Sequence, residues 1–407
     1  MTDPSDSAFA QSSEIVILNR IQSASFGFTI AQKNVNQFGK FGKVGSQAIS
    51  APQVSATFSY LLSFEDNEEK LGFHVSADPL ASFTKNFLST RSSNPYADSV
   101  KYGKNFFILT GEEGLDANNV DDGLAEGKNV SVLTVGGGYI NSYSAQASVG
   151  SIPQVSFSIV GSQLQVEPNT VPLDKDIDPN LTVSNPFVHE NSGANADNLI
   201  DVSELGDIDG RSSTTSAVRP GDLCMLAVRR DGSVISSSED THDFLSTHIQ
   251  SFSLQIPLDR TPTRKLGKLY NFSQEVDFPI EVSLSFSALV SDANEESVFD
   301  EIFNNLGDLD FWILFKSEDK AIRLFDEEGN PLLTELGENL FAEGDAEIIA
   351  GNPSSIEGAV GYVIRGCELV GKSYSAQIGS NKTVDVSYSA QVGGSNDIRN
   401  GIAFINS

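Results

Sequence analysis

The chain has 407 residues, 39% of them hydrophobic, and carries 55 acidic against 26 basic side chains for a net charge of −29. That length accommodates two or three domains, each with its own core, and that charge argues against non-specific attraction to nucleic acid phosphates. Two cysteines, Cys224 and Cys367, stand far apart with no CxxC or Cys/His spacing, which gives no zinc signature and reads as two reduced, buried thiols.

From the N-terminus, residues 1–13 read as an arm with no basic start and no apolar core of signal-peptide length. No apolar run in the chain approaches a membrane span. In "IQSASFGFTI" (21–30) Ala24, Phe26, Phe28 and Ile30 alternate with Ser23, Ser25, Gly27 and Thr29. Period two of this kind predicts an antiparallel strand, apolar on one side and wet on the other. A long connection over 31–51 follows and contains "FGKFGK", with Gln37 before it. The next strand alternates Val54, Ala56, Phe58 and Tyr60 with Ser55, Thr57 and Ser59. Asp78 as a cap, Pro79 at the first helical position and the stripe Leu80, Phe83, Phe87, Leu88 predict a core-packed helix. "FFIL" (106–109) reads as a strand. "VGGGYI" (135–140) is not a GxGxxG motif and precedes a strand rather than a helix. "SYSAQ" (142–146) and "VSFS" (155–158) close this first unit.

Residues 162–210 hold ten Asp or Glu and one Lys among many Asn, Pro and Ser, the pattern of a linker or a loop-rich insertion. "RPGDLCMLAV" (219–228) reads as a turn entering a buried strand that finishes the first domain or opens the second. From residue 248 the early pattern returns: Phe252, Leu254, Ile256 and Leu258 take the apolar face, and a second long connection spans 259–278. Val282, Leu284 and Phe286 alternate with Ser283, Ser285 and Ser287. Asp292 with Glu295 starts a second helix with the stripe Val298, Phe299, Ile302, Phe303, Leu306, ended by Gly307. "FWILF" (311–315) is a buried strand. "CELVGKSYSAQI" and "TVDVSYSAQV" flank the hairpin turn "GSNK" (379–382). Residues 295–347 are again acidic, with sixteen Asp or Glu against three basic residues.

These echoes are collinear. With an offset of 228, Ile21-Gln22-Ser23 falls on Ile249-Gln250-Ser251, Phe38-Gly39-Lys40 on Leu266-Gly267-Lys268, and Phe58-Ser59 on Phe286-Ser287. With an offset of 231, Ser142-Tyr143-Ser144-Ala145-Gln146 falls on Ser373-Tyr374-Ser375-Ala376-Gln377, and Ser156-Phe157-Ser158 on Ser387-Tyr388-Ser389. The chain is therefore expected to be mainly β: two tandem homologous β-sandwich or barrel domains, each with one packed helix. The expected boundaries are 14–165 and 248–407, with 166–247 an acidic linker or insertion of uncertain assignment.

Catalytic chemistry finds little support. Of four histidines, His74, His189, His242 and His248, only Thr241-His242-Asp243 suggests an acid–base pair, and neighbours on a turn seldom make one. There is no GxSxG elbow, and "FGKFGK" lacks the Walker spacing. "DKDIDPN" (174–180) and "DIDG" (207–210) alternate Asp as a calcium loop begins, but lack its sixth-position Gly and twelfth-position Glu. The expectation is a non-enzyme with no catalytic residues, no cofactor and no metal site. The two long connections are more informative, because hairpins normally turn in two to five residues. Both are locally basic on an acidic chain. They predict protruding arms that lie on a neighbouring acidic subunit, steered by charge and anchored by Phe38, Phe41, Leu266, Leu269 and Tyr270.

A polar–apolar "IQSASFGFTI" strand, a long Gly-Lys loop, a Pro-introduced "PQVSATFSYL" strand, a helix and a late "SYSAQ…VSFS" hairpin together resemble the tail tube proteins of long-tailed, siphovirus-like bacteriophages, in their duplicated-domain form. The resemblance spans most of both repeats and rests on pattern. It implies a structural virion protein whose trimeric, pseudo-hexameric rings stack into a tube. Its inter-ring contacts would come from Gln37, Phe38, Gly39, Lys40, Phe41 and Lys43, and from Arg264, Lys265, Leu266, Gly267, Lys268, Leu269 and Tyr270. Ser23, Ser25, Thr29, Ser55, Thr57, Ser283 and Ser285 would face a wet lumen through which DNA passes without specific binding. The implied partners are the chain itself and other tail proteins (tape measure, tail terminator, tail tip or baseplate), with no membrane. The implied location is the virion tail, assembled in the host cytoplasm. Two alternatives stay open: a baseplate or tail-tip ring protein of the same fold, and an acidic two-domain adhesin with calcium in its loops.

Overall fold

The computed structural model describes residues 18–49, 52–63, 67–75, 103–110, 130–161, 163–170, 182–184, 199–201, 223–229, 248–263, 266, 273–290, 309–316, 359–375, 382–392 and 401–406. Alternating apolar and hydroxyl residues form strands through most of this set. In the first half these are β1 (Ile21–Thr29), β2 (Gln32–Val35), β3 (Gly45–Ala48), β4 (Gln53–Leu61), β5 (Lys104–Thr110), β6 (Val130–Ser148), β7 (Ser151–Gly161) and β8 (Gln163–Thr170). Then come β9 (Thr182–Ser184), β10 (Leu199–Asp201) and β11 (Leu223–Arg229). The second half has β12 (His248–Pro257), β13 (Arg260–Thr263), β14 (Ser273–Val276), β15 (Ile280–Val290), β16 (Leu309–Lys316), β17 (Ala359–Ser375), β18 (Lys382–Val392) and β19 (Gly401–Asn406). One short helix, α1 (Asn67–Leu71), is present among the described residues. The helices expected at 78–88 and 292–307 lie outside those residues.

Eight strands pair side by side in the order β1-β4-β7-β6-β12-β15-β18-β17. The second four repeat the order of the first four. Every partner in this sheet is antiparallel. The long strands β6 and β17 leave the common sheet at one end and enter an outer sheet. There β6 pairs with β5 and β8, while β17 pairs with β16 and β19, and β16 with β11. Thus β8 extends the first half to Thr170, and "LCMLAVR" joins the second half's outer sheet.

Each crossing is locked in the same way. Gly137 and Gly366 turn the strand with φ of 59° and 71°, a region that glycine enters without steric cost. The Gly137 N–H donates to Asn105 Oδ1 at 3.1 Å, and the Gly366 N–H to Asp310 Oδ1 at 3.0 Å. Asp310 also pairs with Arg365 at 3.3 Å. "VGGGYI" therefore does not precede a strand; it is the corner inside β6. Glycine there permits a bend that a side-chain-bearing residue would resist.

The core lies between the common sheet and the outer sheets. Phe106 from β5 packs 6.0 Å from Phe58, which stacks on Phe157 at 5.1 Å. In the second half Phe311 from β16 packs 6.0 Å from Phe286 and 4.6 Å from Tyr388. All of "FWILF" is buried.

The ladders correct one detail of the repeat. Phe58 faces Phe157 across β4–β7. Its counterpart Phe286 faces Val386, two residues short of Tyr388. Likewise Tyr143 faces Phe157, whereas Lys372 faces Val386. The backbone offset is therefore 229 in β6/β17 and β7/β18, not the 231 of the matched residues. A slip of two keeps every side chain on its face, so period-two sequence cannot detect it. Tyr388 still stacks on Phe286 at 6.1 Å, now from the diagonal position.

Candidate assembly surface

The two halves join edge to edge. Ser251 to Pro257 of β12 pair with Ser148 to Ser142 of β6, with Leu254 facing Ala145 and Ile256 facing Tyr143. The ladder continues as Val149 N–H donates to Gln250 O at 2.9 Å and Leu258 N–H to Asn141 O at 2.8 Å. Leu254, Ile256 and Leu258 are each fully buried. The opposite ends of the common sheet differ. β1 is the terminal strand at one end, and among the described residues no strand lines the outer edge of β17 beyond Cys367. On β1 and just past its end the apolar residues Phe26, Phe28 and Ile30 are 52%, 57% and 40% exposed, where the alternation predicts a half-buried strand. The ladder sets Phe26 opposite Ala56 and Phe28 opposite Val54, on the core-facing side that the alternation assigns them, and among the described residues no strand covers that edge. Val370 and Tyr374 on β17 are also exposed.

The other face of the common sheet is hydroxyl-lined. Ser23, Ser25, Thr29, Ser55, Thr57, Ser283 and Ser285 all lie on it and are exposed. Serine pairs bridge neighbouring strands: Ser23 with Ser59 at 2.6 Å, Ser142 with Ser158 at 2.6 Å, and Ser144 with Ser156 at 2.8 Å. Such cross-strand pairs let hydroxyl-rich strands persist at modest β-propensity. By the registers, no Lys or Arg of the eight paired strands occupies this face, whereas Glu281, Glu368 and Asp385 do; Arg260, from the second long connection, lies against Tyr139 on the same face. The face is grooved where the halves meet, a hollow of about 470 Å³ lined by Gln146, Ser148, Ser251, Ser285, Asp385 and Ser387 among others.

The long connections are two-stranded arms. β2 pairs with β3 in the first, and β13 with β14 in the second. Every described residue of the first arm is exposed, including Gln37, Gly39, Lys40 and Lys43, with Phe38 and Phe41 entirely so. Leu266 is equally bare at the tip of the second arm. Arg264, Lys265, Gly267, Lys268, Leu269 and Tyr270 lie outside the described residues. The second arm's root sits on the first half. Arg260 Nε donates to Ile140 O at 2.9 Å, its Nη1 donates to Gln274 O at 2.9 Å, and its guanidinium lies 5.1 Å from the Tyr139 ring centre. Burial draws the Arg260 pKa down to about 10, partly opposed by Tyr139.

A buried polar network crosses between the halves above the seam. Tyr60 and Tyr143 donate to Glu68 Oε1 at 2.6 and 3.0 Å. Tyr143 and Tyr362 meet hydroxyl to hydroxyl at 2.8 Å. Since the single Tyr143 proton is committed to Glu68, Tyr362 donates in that pair. Desolvation, then the Glu68 charge, pushes all three phenols well above their ordinary range. Phe73 stacks on Phe404 at 4.8 Å beside them. Sequence reading missed this network, because its bonded partners Tyr143 and Tyr362 stand 219 positions apart. It also missed Arg260 as an arm anchor. A lone arginine after "IPLD" gives no local signal.

Among the described residues no group of three or more His, Cys, Asp or Glu is placed to hold a metal. The Asp-rich segments 174–180 and 207–210 fall outside those residues, as do His189 and His242.

No family model and no curated protein matches the chain. Among solved structures it is similar to a chain in the tail of an empty gene transfer agent particle refined with C6 symmetry, at 11% identity over 46% of this chain and 98% of that one, TM-score 0.26. It is similar to the SPP1 tail tube at 10% identity over 44% of this chain and 80% of that one, TM-score 0.26. A chain of the native gene transfer agent virion matches at 11% identity over 46% of this chain and 98% of that one, TM-score 0.23.

Proposed function

We propose that this chain is a duplicated structural subunit that closes head to tail into rings and stacks as a viral tail tube conducting DNA. The observation that carries the reading is the β6–β12 seam. One half ends on an edge that the next half continues, with the strand order repeated. A surface that joins one half to the next and then recurs at both ends of the chain is heterologous, and such a surface closes a ring or propagates. Closure also removes the exposed edges that make an open sheet prone to aggregation.

Three chains of eight strands give a barrel of about 24 strands, above the 16–18 that already leave an aqueous channel. The outer sheets cover the apolar face, so the hydroxyl face lines the channel. With three carboxylates and no cation on its paired strands, and Arg260 half-buried against Tyr139, that lining offers DNA little counter-charge. The arms, bare at Phe38, Phe41 and Leu266, are the parts free to reach an adjacent ring. The role is assembly without catalysis, in a virion tail built in the host cytoplasm. Its partners are further copies and the tail's tape measure, terminator and tip proteins.

Negative-stain electron microscopy of the purified protein at rising concentration tests this. Hollow tubes or rings with threefold or pseudo-sixfold end views are expected. Dispersed two-lobed monomers at every concentration would overturn it.

A further inference from the structure

We infer that β17 of one copy pairs antiparallel with β1 of a second copy in one register, with Tyr374 facing Phe26 and Ser375 facing Ser25. The inference rests on the ring proposed above and specifies its joint. The partner is another copy of this chain, because the same joint is already made once inside it, at β6–β12.

The register follows from the ladders. β12 holds the place of β1: Ser251 faces Ser287 as Ser23 faces Ser59, and both strands carry the same irregularity, at Ile21/Ser23 and Ile249/Ser251. β17 holds the place of β6 with the 229 offset, and their bulges correspond at Ile140/Ser142 and Leu369/Gly371. In the internal seam Leu254 faces Ala145 and Ser253 faces Gln146. Carried to the free edges, these become Phe26 with Tyr374 and Ser25 with Ser375. Gly27 then meets Ser373, and Phe28 meets Lys372. The amino-acid match alone would set Phe28 on Tyr374, two residues away with the faces unchanged.

The chemistry of the edges suits this pairing. Phe26, Phe28 and Ile30 are exposed on one edge, Val370 and Tyr374 on the other, and aromatic pairs across strands are favourable. The hydroxyl face continues without a break through Ser25 and Ser375. The arm follows as well. Gln32 stands where Arg260 stands in the second half, and Leu369 where Ile140 does, so the first arm's root lies on the next copy's β17.

Engineered disulfides read the register. In the internal seam the Leu258–Asn141 and Gln250–Val149 pairs carry the hydrogen bonds, so Ser253–Gln146 is of the closer, non-hydrogen-bonded type. Its counterpart, Ser25 with Ser375, is therefore within disulfide reach, while a diagonal partner two residues off is not. Within one chain the two sites stand seven strand spacings apart, about 30 Å or more, so any link joins two copies. The experiment oxidises S25C/S375C and G27C/S375C full-length proteins under assembling conditions, beside the parent and an internal control, Q146C/S253C. Both are read on non-reducing denaturing gels and by electron microscopy. The expected result is covalent dimers and higher multiples from S25C/S375C, at least tenfold above G27C/S375C. Stronger linkage from G27C/S375C would overturn this register and leave the ring intact. No linkage from either pair, with rings present and the internal control oxidised, would overturn the edge pairing alone. Absence of rings in the parent would overturn both readings.

Discussion

Leu254 and Phe26 hold the same site in β12 and β1, yet Leu254 is fully buried and Phe26 is 52% exposed. Their backbones are alike: Leu254 faces Leu284 and Phe26 faces Ala56 on the inner side. The difference is the neighbour on the outer side. β12 has β6, and among the described residues β1 has none. Phe26 and Phe28 thus contribute little to the monomer and much to a joint between copies. We expect Phe26→Ser with Phe28→Ser to leave thermal unfolding nearly unchanged. Losing about 1 kcal/mol of burial for each ring would raise the concentration needed for assembly about thirtyfold. Sedimentation velocity across concentration measures it; unchanged assembly would remove β1 from the interface. Leu254→Ser, by contrast, should destabilise the chain itself by about 3 kcal/mol, through lost packing and a buried hydroxyl.

The tyrosine network sets an alkaline limit. Tyr60, Tyr143 and Tyr362 have folded pKa values raised well above 10, chiefly by burial and then by Glu68. A raised folded pKa means the folded state holds the proton more tightly. Its stabilisation is complete below the unfolded value near 10 and is lost as pH rises from there. Each phenol then lowers stability by about 1.4 kcal/mol per pH unit. Lys104 acts in the opposite sense: burial lowers its pKa to about 8. Its charging penalty is relieved between that value and the ordinary lysine range, so stability rises with pH there, by as much per pH unit as a single phenol takes away above it. Urea unfolding from pH 8 to 11.5 should show a shallow rise and then a steep fall. Tyr362→Phe should reduce the steepness of the fall by one proton's worth. An unchanged slope would place Tyr362 outside the titrating set.

Much of the sheet was legible in the sequence because period two maps directly onto faces. Ser55 and Ser283 were assigned to the wet face, and Val54 and Val282 to the core, from alternation alone. Three things were not legible, each for a physical reason. The two-residue slip between Tyr388 and Val386 preserves every face, so no polarity pattern records it. The exposure of Phe26 depends on which strand lies alongside, and an edge strand has the same composition as an inner one. The contact of Glu68 with Tyr143, and of Tyr143 with Tyr362, exists only after the outer layers close over the seam. The arms were legible as length and charge, since about twenty residues between two patterned strands demanded structure of their own.

The first arm can be removed without touching the core. Lys33 faces Gln47 in the β2–β3 ladder, and all described residues between them are exposed. Replacing residues 34–46 with Asn-Gly supplies a two-residue turn where that pair ends. We expect unfolding within about 0.5 kcal/mol of the parent, as for other exposed changes. Rings should still form and fail to stack. Tubes of parental length from this variant, seen by electron microscopy, would show that the arm does not join rings.

The hydroxyl face makes the sharpest demand on the conduit reading. Ser55 and Ser283 are exposed counterparts on β4 and β15, and by the registers neither lies beside a cation among the described residues. Their replacement by arginine should cost the fold little, because long charged side chains on an open sheet face reach solvent. In a tube it would place two cations per chain on the lining. The parent tube should bind a short duplex weakly or not at all, in keeping with a lining of hydroxyls and the carboxylates of Glu281, Glu368 and Asp385. The S55R/S283R tube should bind it measurably, with affinity falling as salt rises. The log–log slope should approach −0.9 for each phosphate engaged. Fluorescence anisotropy of a labelled duplex, titrated with preformed tubes at several salt concentrations, gives both numbers. If the parent binds the duplex as tightly as the variant, the face is not a non-adhesive lining. If the variant binds only through its outer surface, blocking the tube ends will leave the affinity unchanged, and the hydroxyl face will have to be placed outside the channel.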